Sequence, residues 1–488
     1  MRAHARFLDA RVGRSGLEAS LEPWLSGVSG GQLVERDRRT GRYRVVSEQP
    51  PIPGRDVRLH VDAALQRQLE RILDEAVERA GGRGGAAVLL GARTGAVRVL
   101  ASSPRFEIDR IGAAYRRWRD DPRAPLVHRA IAAQLPPGST VKPIMVLAAL
   151  AQGGLVLDGA PVRGDRRFVC RGYLYNRHAF QCHARYGHGP LTLAEALERS
   201  CNIPFYRIGE ALGPEALATW YRRFGFGRRS GIDLPGERPG LVPTPRWKSR
   251  RLEAARSAER RARTRLLAAL RAGGGPWRGA PWRARLGAGS RWDALQRAAR
   301  RWRQAARWAA RCEEDGGWRK GDSRNAAIGQ GNVLATPLQL AVFAAALANG
   351  GRLVRPEVAG LRLEASAHRA PELALEPAGL AVVREGMRLV TSGAHGTARP
   401  SVLRRADTAI DEATIALWRH AYAKTGTAQA GAVSHAWIVG WLPAPAAGDE
   451  PLAFCVLVEG IASGGGGSVA GPVAARMLRL AVAREGAP

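Results

Sequence analysis

The chain is expected to fold as an α+β protein, a sheet with helices packed on it, and three stretches carry that expectation. From Asp62, the residues Leu65, Leu69, Ile72, Leu73 and Ala76 recur at helical spacing, and Gly81–Gly82 closes the run. The segment GAAVLLGARTGAVRVLASS at 85–103 then gives two short apolar strands joined by Ala92–Gly95, the pattern of a hairpin. Near the C-terminus KTGTAQ, HAWIVGWLP and PLAFCVLVEG alternate strands with turns before a closing apolar helix at 469–483. Helix, hairpin, buried helix and late strands together describe one sheet covered by helices.

The remaining elements follow in order. Residues 1–55 are polar and rich in Arg and Gly, and read as the tail end of a domain. In LPPGSTVKPIMVLAAL (135–150) Pro136, Pro137 and Gly138 form a turn, and Ile144 to Leu150 reads as a buried helix. Ser139 stands where that helix begins, among free backbone N–H groups at the positive end of the dipole. Residues 151–190 read as irregular. Thr192 with Glu195 matches a capping box that opens a helix, and a second helix is expected from about Pro204 to Leu212. Residues 225–245 are turn-rich. Thr336 caps a later helix, Pro337 takes its first position, and Asn349–Gly350–Gly351 ends it.

At 488 residues the chain has material for more than one domain, and its five cysteines are too few for a disulfide scaffold. No run approaches the roughly 20 apolar residues that span a bilayer, and MRAHARFLDA holds no apolar signal core. The chain as written thus reads as soluble and without an export address. Its net charge is +32, and half of it lies between Arg246 and Lys320, with 22 Lys+Arg against 6 Asp+Glu. That segment (249–320) reads as an insertion. Its Ala/Arg bias suits a partly disordered loop. Trp292, Leu295, Ala299, Trp302, Ala306 and Ala309 also trace a helical stripe, as in a basic amphipathic helix lying on an anionic membrane or a partner. Nucleic acid is the weakest reading, because no binding motif accompanies the charge.

The chain has only four lysines (Lys142, Lys248, Lys320, Lys424) beside 71 arginines. Arginine cannot surrender its proton at working pH, whereas a lysine in an apolar pocket can act as a base. Lys142 lies three residues after Ser139 and shares its helical face. A serine hydroxyl becomes a nucleophile when a neighbouring base takes its proton. The same S-x-x-K also describes a capping serine followed by a solvated lysine, but the scarcity of lysine weighs against that.

Three motifs stand in order: Ser139-x-x-Lys142, Ser200-Cys-Asn202 and Lys424-Thr-Gly-Thr427. The set resembles the penicillin-recognising serine acyl-transferases, which include penicillin-binding proteins and serine β-lactamases. GRSGLEASLEPWLSGVSG at 13–30, the PGRDVRLHVDAALQRQLE run ending at Glu70, GIDLPGE at 231–237 and GDSRNAAIGQGNVLATPLQLA at 321–341 are similar to class B penicillin-binding proteins of the elongation (rod-shape) type. The resemblance covers nearly the whole chain except 249–320. It implies a central antiparallel sheet with helices on both faces in a transpeptidase domain at 56–488, after a remnant of the pedestal domain at 1–55 that lacks the family's membrane helix. It implies a periplasmic site at the inner membrane, stem peptides ending in D-Ala-D-Ala as substrates, β-lactams as covalent inhibitors, and a membrane glycan polymerase and elongation-complex proteins as partners. No cofactor is required.

The resemblance also implies roles. Ser139 attacks the penultimate D-alanine, Lys142 activates it, Ser200 relays a proton, and Asn202 holds Lys142 and the substrate amide. Lys424 supplies positive charge; Thr425 and Thr427 bind substrate polar groups, and Gly426 lets a substrate backbone lie close. The backbone N–H groups of Ser139 and Thr427 hold the oxyanion. A D,D-carboxypeptidase or β-lactamase-type hydrolase, or a non-catalytic β-lactam-binding paralogue, would share these motifs.

Cys170, His178, Cys182 and His183 precede the second motif. Two thiols and two imidazoles are zinc ligands by type, with Asp158 or Asp165 able to add a carboxylate, although the spacing is no known finger. A Cys170–Cys182 disulfide and unpaired core thiols fit equally. His188 reads as structuring its GHG loop and Cys201 as buried beside Ser200.

Overall fold

Alternation in the strand β1 (Gly84–Gly91) sets the layout of the molecule in this computed structural model, which describes residues 12–36, 38–151, 154–176, 179–272, 292–360, 371–431, 433–444 and 448–485. Ala86, Val88 and Leu90 enter one core and Ala87 and Leu89 another. A period of two can only do this if both faces of the strand are covered.

The covered element is a five-stranded antiparallel sheet. Its strands are β1, β2 (Val97–Ser103), β3 (Tyr422–Ala430), β4 (Val433–Leu442) and β5 (Leu452–Ile461), ordered β3-β4-β5-β1-β2. The N-terminal hairpin joins the C-terminal strands where β1 pairs with β5, Val88 opposite Cys455. The expected α+β class, central antiparallel sheet and helices on both faces are all present.

One face carries helix Ala63–Arg79 and closing helix Gly471–Glu485. The first starts where Asp62 accepts from the N–H groups of Ala64 and Leu65, the capping that satisfies otherwise unpaired donors. The other face carries the helices Lys142–Ala149 and Pro337–Ala348. Thr336 and Gln339 form a reciprocal capping box on the latter, and Thr192 and Glu195 form another on helix Leu193–Glu198. Phe343 is fully buried in this core, edge-on to Phe224 at 5.2 Å.

Three expectations change. The region 151–190 is not irregular: Val156–Leu157 pairs with Ala160–Pro161, Tyr173–Asn176 with Ala179–Gln181, and Phe168–Cys170 with Gly189–Leu191. Strands of two to four residues are too short to leave a periodicity. The second helix runs on, as Ile203–Arg223, past the expected stop at Leu212. Gly213 turns at φ +72° and Pro214 restarts the coil, so a Gly-Pro step that reads as an end is a kink.

Finally, the 249–320 segment is not a disordered loop in its described parts. Helices Pro245–Ala272 and Trp292–Asp315 pack on each other around Ala255, Ala309 and Cys312, with Leu252 and Trp308 against them. Arg256–Glu313 and Arg251–Asp315 cross the seam, and Trp302 Nε1 donates to Glu259 at 3.0 Å. Of the apolar stripe expected to meet a membrane or partner, Ala309 is buried in this seam and Trp302 is bonded across it.

Phe343→Ala should lower the unfolding free energy by about 3–5 kcal/mol, the usual result of emptying an aromatic site in a packed core. Denaturant unfolding measures it; a loss below about 1 kcal/mol would show that the site collapses.

Candidate active site

A tight 3₁₀ turn, Gly138–Val141, holds Ser139 ahead of helix Lys142–Ala149. Gly138 is at φ +57°, its N–H donates to Gly329 O at 2.9 Å, and Thr140 Oγ1 donates to Pro137 O at 2.8 Å. Ser139 itself is half-buried, while every residue of the following helix is buried. The hydroxyl therefore sits at the lip of the core, and the lysine beneath it points into that core.

Lys142 is fully buried. Its Nζ donates to Ser200 O at 2.8 Å, Cys201 O at 2.9 Å and Asn202 Oδ1 at 2.8 Å. It also lies 3.5 Å from Ser200 Oγ and 5.1 Å from the centre of the Phe205 ring. Three short donations match the three N–H groups of an ammonium. Burial nevertheless pulls the pKa down to about 8, so both proton states lie close to neutral pH. Ser200 takes a left-handed backbone, φ +54°, which turns successive carbonyls of the SCN segment towards one amine. Such non-glycine strain collects at functional sites. Asn202 is fixed in turn by Nδ2, which donates to Gln181 O at 3.1 Å.

Lys424, also fully buried, approaches from β3. Its Nζ donates to Ser200 Oγ at 2.9 Å and Thr425 O at 3.0 Å. Desolvation, and then the charge of Lys142, hold it well below the ordinary lysine value. The two buried amines bracket one serine hydroxyl, where like charges disfavour each other. A single mobile proton shared over Lys142, Ser200 and Lys424 is what this arrangement supports.

The three motifs thus meet. The serine turn lies directly on β3: a Cβ on Gly426 would come within 2.7 Å of Pro137 O and 2.8 Å of Thr140 Cγ2. Gly426, expected to let a substrate backbone lie close, also stands against the turn that carries Ser139. Its missing side chain admits the serine turn, and so sets the spacing between Ser139 and β3. Thr425 is buried with its Oγ1 2.7 Å from Thr397 Oγ1, whereas Thr427 is exposed, and Gly466 N–H approaches its Oγ1 at 3.4 Å.

Thr397 and Glu198 carried no readable signal. Glu198 is buried, its Oε1 accepts from His395 N–H at 3.0 Å, and its O accepts from Thr397 N–H at 3.4 Å. It ties the loop bearing Thr397 to the helix before SCN. Gln330, inside AIGQG, donates from Nε2 to Thr427 O at 3.4 Å.

A second cluster adjoins this pocket. One ligand atom each from Cys170, Cys182, His188 and Cys201 all lie within 4.8 Å of one another. Cys182 Sγ is 3.9 Å from Cys201 Sγ, and His188 Nδ1 is 3.5 Å from the sulfurs of both Cys170 and Cys182. A tetrahedral zinc with Zn–S of about 2.3 Å would set sulfurs about 3.8 Å apart, so the donor set fits. Hydrogen bonding from Cys170 drives the Cys182 thiol far down, the same contacts drive Cys201 up, and the sulfur contacts push His188 to about 9.

The expected ligand set is thereby corrected. His188 and Cys201 join Cys170 and Cys182 in place of His183, which stands beside the group, 3.9 Å from Cys182 Sγ, and the expectation at His178 lies outside the described residues. Asp158 turns instead to Arg166 and Arg207, and Asp165 to Arg163. Cys170 and Cys182 are free thiols, so the alternative disulfide is absent. The sequence hid this because Cys201 is 19 positions from Cys182 and belongs to a motif with another use.

The family model described as the penicillin-binding protein transpeptidase domain matches residues 85–479. The chain belongs to the penicillin-binding protein transpeptidase family. A second model, the penicillin-binding protein dimerisation domain, matches residues 6–59. Among curated relatives, the peptidoglycan D,D-transpeptidase MrdA of Acinetobacter baumannii is 29% identical over 71% of this chain and 42% of its own length. MrdA of Haemophilus influenzae is 25% identical over 96% of this chain and 62% of its own. The chain thus spans less than two thirds of the length of these curated relatives. The crystal structure of Pseudomonas aeruginosa PBP2 in complex with WCK 5153 shares 28% identity with a TM-score of 0.65, over 96% of this chain and 81% of that one. A Helicobacter pylori PBP2 in complex with MreC matches in fold, at 24% identity and a TM-score of 0.69, over 97% and 73%. These relatives put the chain with the elongation-type class B members. No helix among the described residues is long and apolar enough to cross a membrane.

Gly426→Ala should force β3 off the serine turn. Displacements near 1 Å at a reacting centre cost on the order of 10²-fold, so labelling by a fluorescent penicillin should slow by about that factor while the fold stays intact by circular dichroism. An unchanged labelling rate would mean that the turn yields freely.

Proposed function

We propose that this chain is a peptidoglycan D,D-transpeptidase that cross-links stem peptides through an acyl-enzyme on Ser139. The observation that carries the reading is the pair of buried amines, Lys142 and Lys424, on either side of Ser200 Oγ. Neutral Lys142 takes the Ser139 proton as Oγ attacks the carbonyl of the penultimate D-alanine. The amide C–N bond breaks, and the departing D-alanine amine receives that proton through Ser200. An amine from a neighbouring stem peptide then attacks the ester, gives its proton back along the same path, and Ser139 Oγ is released. Backbone N–H groups of Ser139 and Thr427 hold the oxyanion; each such donor is worth about 3–4 kcal/mol. Thr425, with Thr397 behind it, and Lys424 receive the substrate carboxylate. β-Lactams enter by the same attack.

Membership among elongation-type relatives supports work at the periplasmic face of the inner membrane beside a glycan polymerase. A neighbour at 25% identity comes from a peptidoglycan synthase complex that coordinates polymerization and crosslinking. The Cys170–Cys182–His188–Cys201 cluster is read as a structural zinc site. The zinc would hold Cys201, and with it the carbonyls that anchor Lys142.

Ser139→Ala should abolish covalent labelling by a fluorescent penicillin. Lys142→Arg, which keeps charge but no base, should slow it by about 10²–10⁴-fold. Labelling of the alanine variant at the wild-type rate would end the assignment. Elemental analysis should find one zinc per chain, lost in Cys182→Ser together with thermal stability; a metal-free wild type would remove the zinc.

A further inference from the structure

The helical hairpin presents a face that nothing within the described residues covers. Along helix Trp292–Asp315, Ala309, Cys312 and Trp302 turn towards helix Pro245–Ala272. Arg300, Arg303, Arg307 and Arg311 recur at steps of three and four, so they form one row on the opposite side. All four are exposed. Over those residues the row extends about 16 Å, at 1.5 Å per residue. The four arginines and Gln304 enclose a shallow recess of about 320 Å³.

The acidic side chains of the hairpin do not answer this row. Glu313 pairs with Arg256, Asp315 with Lys248 and Arg251, and Glu259 accepts from Trp302. These contacts lie in or beside the seam. Asp293 and Glu314 stand only at the two ends of the row. Among the described residues no ion pair holds any of the four arginines.

We infer that this arginine row is an electrostatic docking surface for an anionic phospholipid bilayer. Guanidinium groups match phosphate oxygens bidentately. A straight row of them suits a flat array of headgroup phosphates better than one small anion, which would meet one or two arginines. The mode differs from that of an inserting amphipathic helix, because Trp302 and Ala309 of the apolar stripe already face the neighbouring helix. Attachment is therefore by charge alone and weakens with salt. The hairpin's second leg continues through Trp318, whose Nε1 donates to Ser323 Oγ at 2.9 Å, into helix Lys320–Ala327 and the turn carrying Gly329 and Gln330. That turn contacts Gly138 and Thr427. A bilayer on the hairpin would thus orient the active-site wall relative to the membrane. The inference uses neither Ser139 nor the acyl transfer, and stands apart from them.

Vesicle flotation tests it on the full chain. Wild type should bind phosphatidylglycerol/phosphatidylcholine vesicles, ignore pure phosphatidylcholine, and lose binding as salt rises. The combined variant Arg300→Gln, Arg303→Gln, Arg307→Gln, Arg311→Gln should bind on the order of 10³-fold more weakly, at about fivefold per arginine. The four matching Arg→Lys changes should retain most of the binding. A control that removes equal charge elsewhere (Arg116→Gln, Arg117→Gln, Arg228→Gln, Arg229→Gln) should bind nearly as wild type. Fluorescent-penicillin labelling should be the same in all of them, which also reports folding. The proposal falls if the control loses as much binding as the row variant, or if neutral vesicles bind equally. It falls too if millimolar inorganic phosphate displaces the vesicles. Capture of soluble polyglutamate by the row, with vesicles ignored, would make the partner an acidic polymer and overturn the lipid assignment.

Discussion

Lys142 Nζ, fully buried and held by three acceptors of the SCN segment, is the contact on which the rest of the site depends. It fastens the first motif to the second. It sets the left-handed turn at Ser200 to use, and it places the amine whose proton affinity burial has already reduced. A lysine left in solvent would bind its proton too firmly to act as a base at neutral pH. One buried without acceptors would lose its charge altogether. The three carbonyl and amide oxygens keep it between those limits.

Lys424 makes sense only beside that contact. It reaches the same Ser200 hydroxyl from the sheet, and the charge of Lys142 helps to lower its own pKa. The sheet delivers it because β3 is the edge strand next to the serine turn, and Gly426 removes the one Cβ that would hold them apart. Cys201 gives this centre a second tie. Its carbonyl receives Lys142 while its sulfur joins Cys170, Cys182 and His188, so the metal-type cluster and the Lys142 amine share one residue.

Much of this was legible in the residue order. The class, the hairpin at 85–103, two helix caps and the three motifs all rest on local rules: periodicity, capping and short spacing. Lys142 and Lys424 stood out because a chain with 71 arginines and four lysines reserves lysine for something arginine cannot do. Local rules failed where the determinant was not local. Gly213–Pro214 reads as a stop and serves as a kink, and strands of two or three residues leave no period. The stripe at Trp292–Ala309 was visible, but its partner was not, since helix Pro245–Ala272 lies across a seam with no sequence code for pairing.

The sequence alone thus determined which side chains could do chemistry and which stretches had to be helix or strand, because those properties belong to residues and their near neighbours. Only the tertiary structure decided what those residues face. It made Gly426 a seat for the serine turn. It chose His188 and Cys201 over His183, and it turned the arginines of the hairpin outward. Each of these depends on atoms brought within a few ångströms from distant parts of the chain, and the free energy of such contacts comes from burial and packing, which spacing along the chain does not encode.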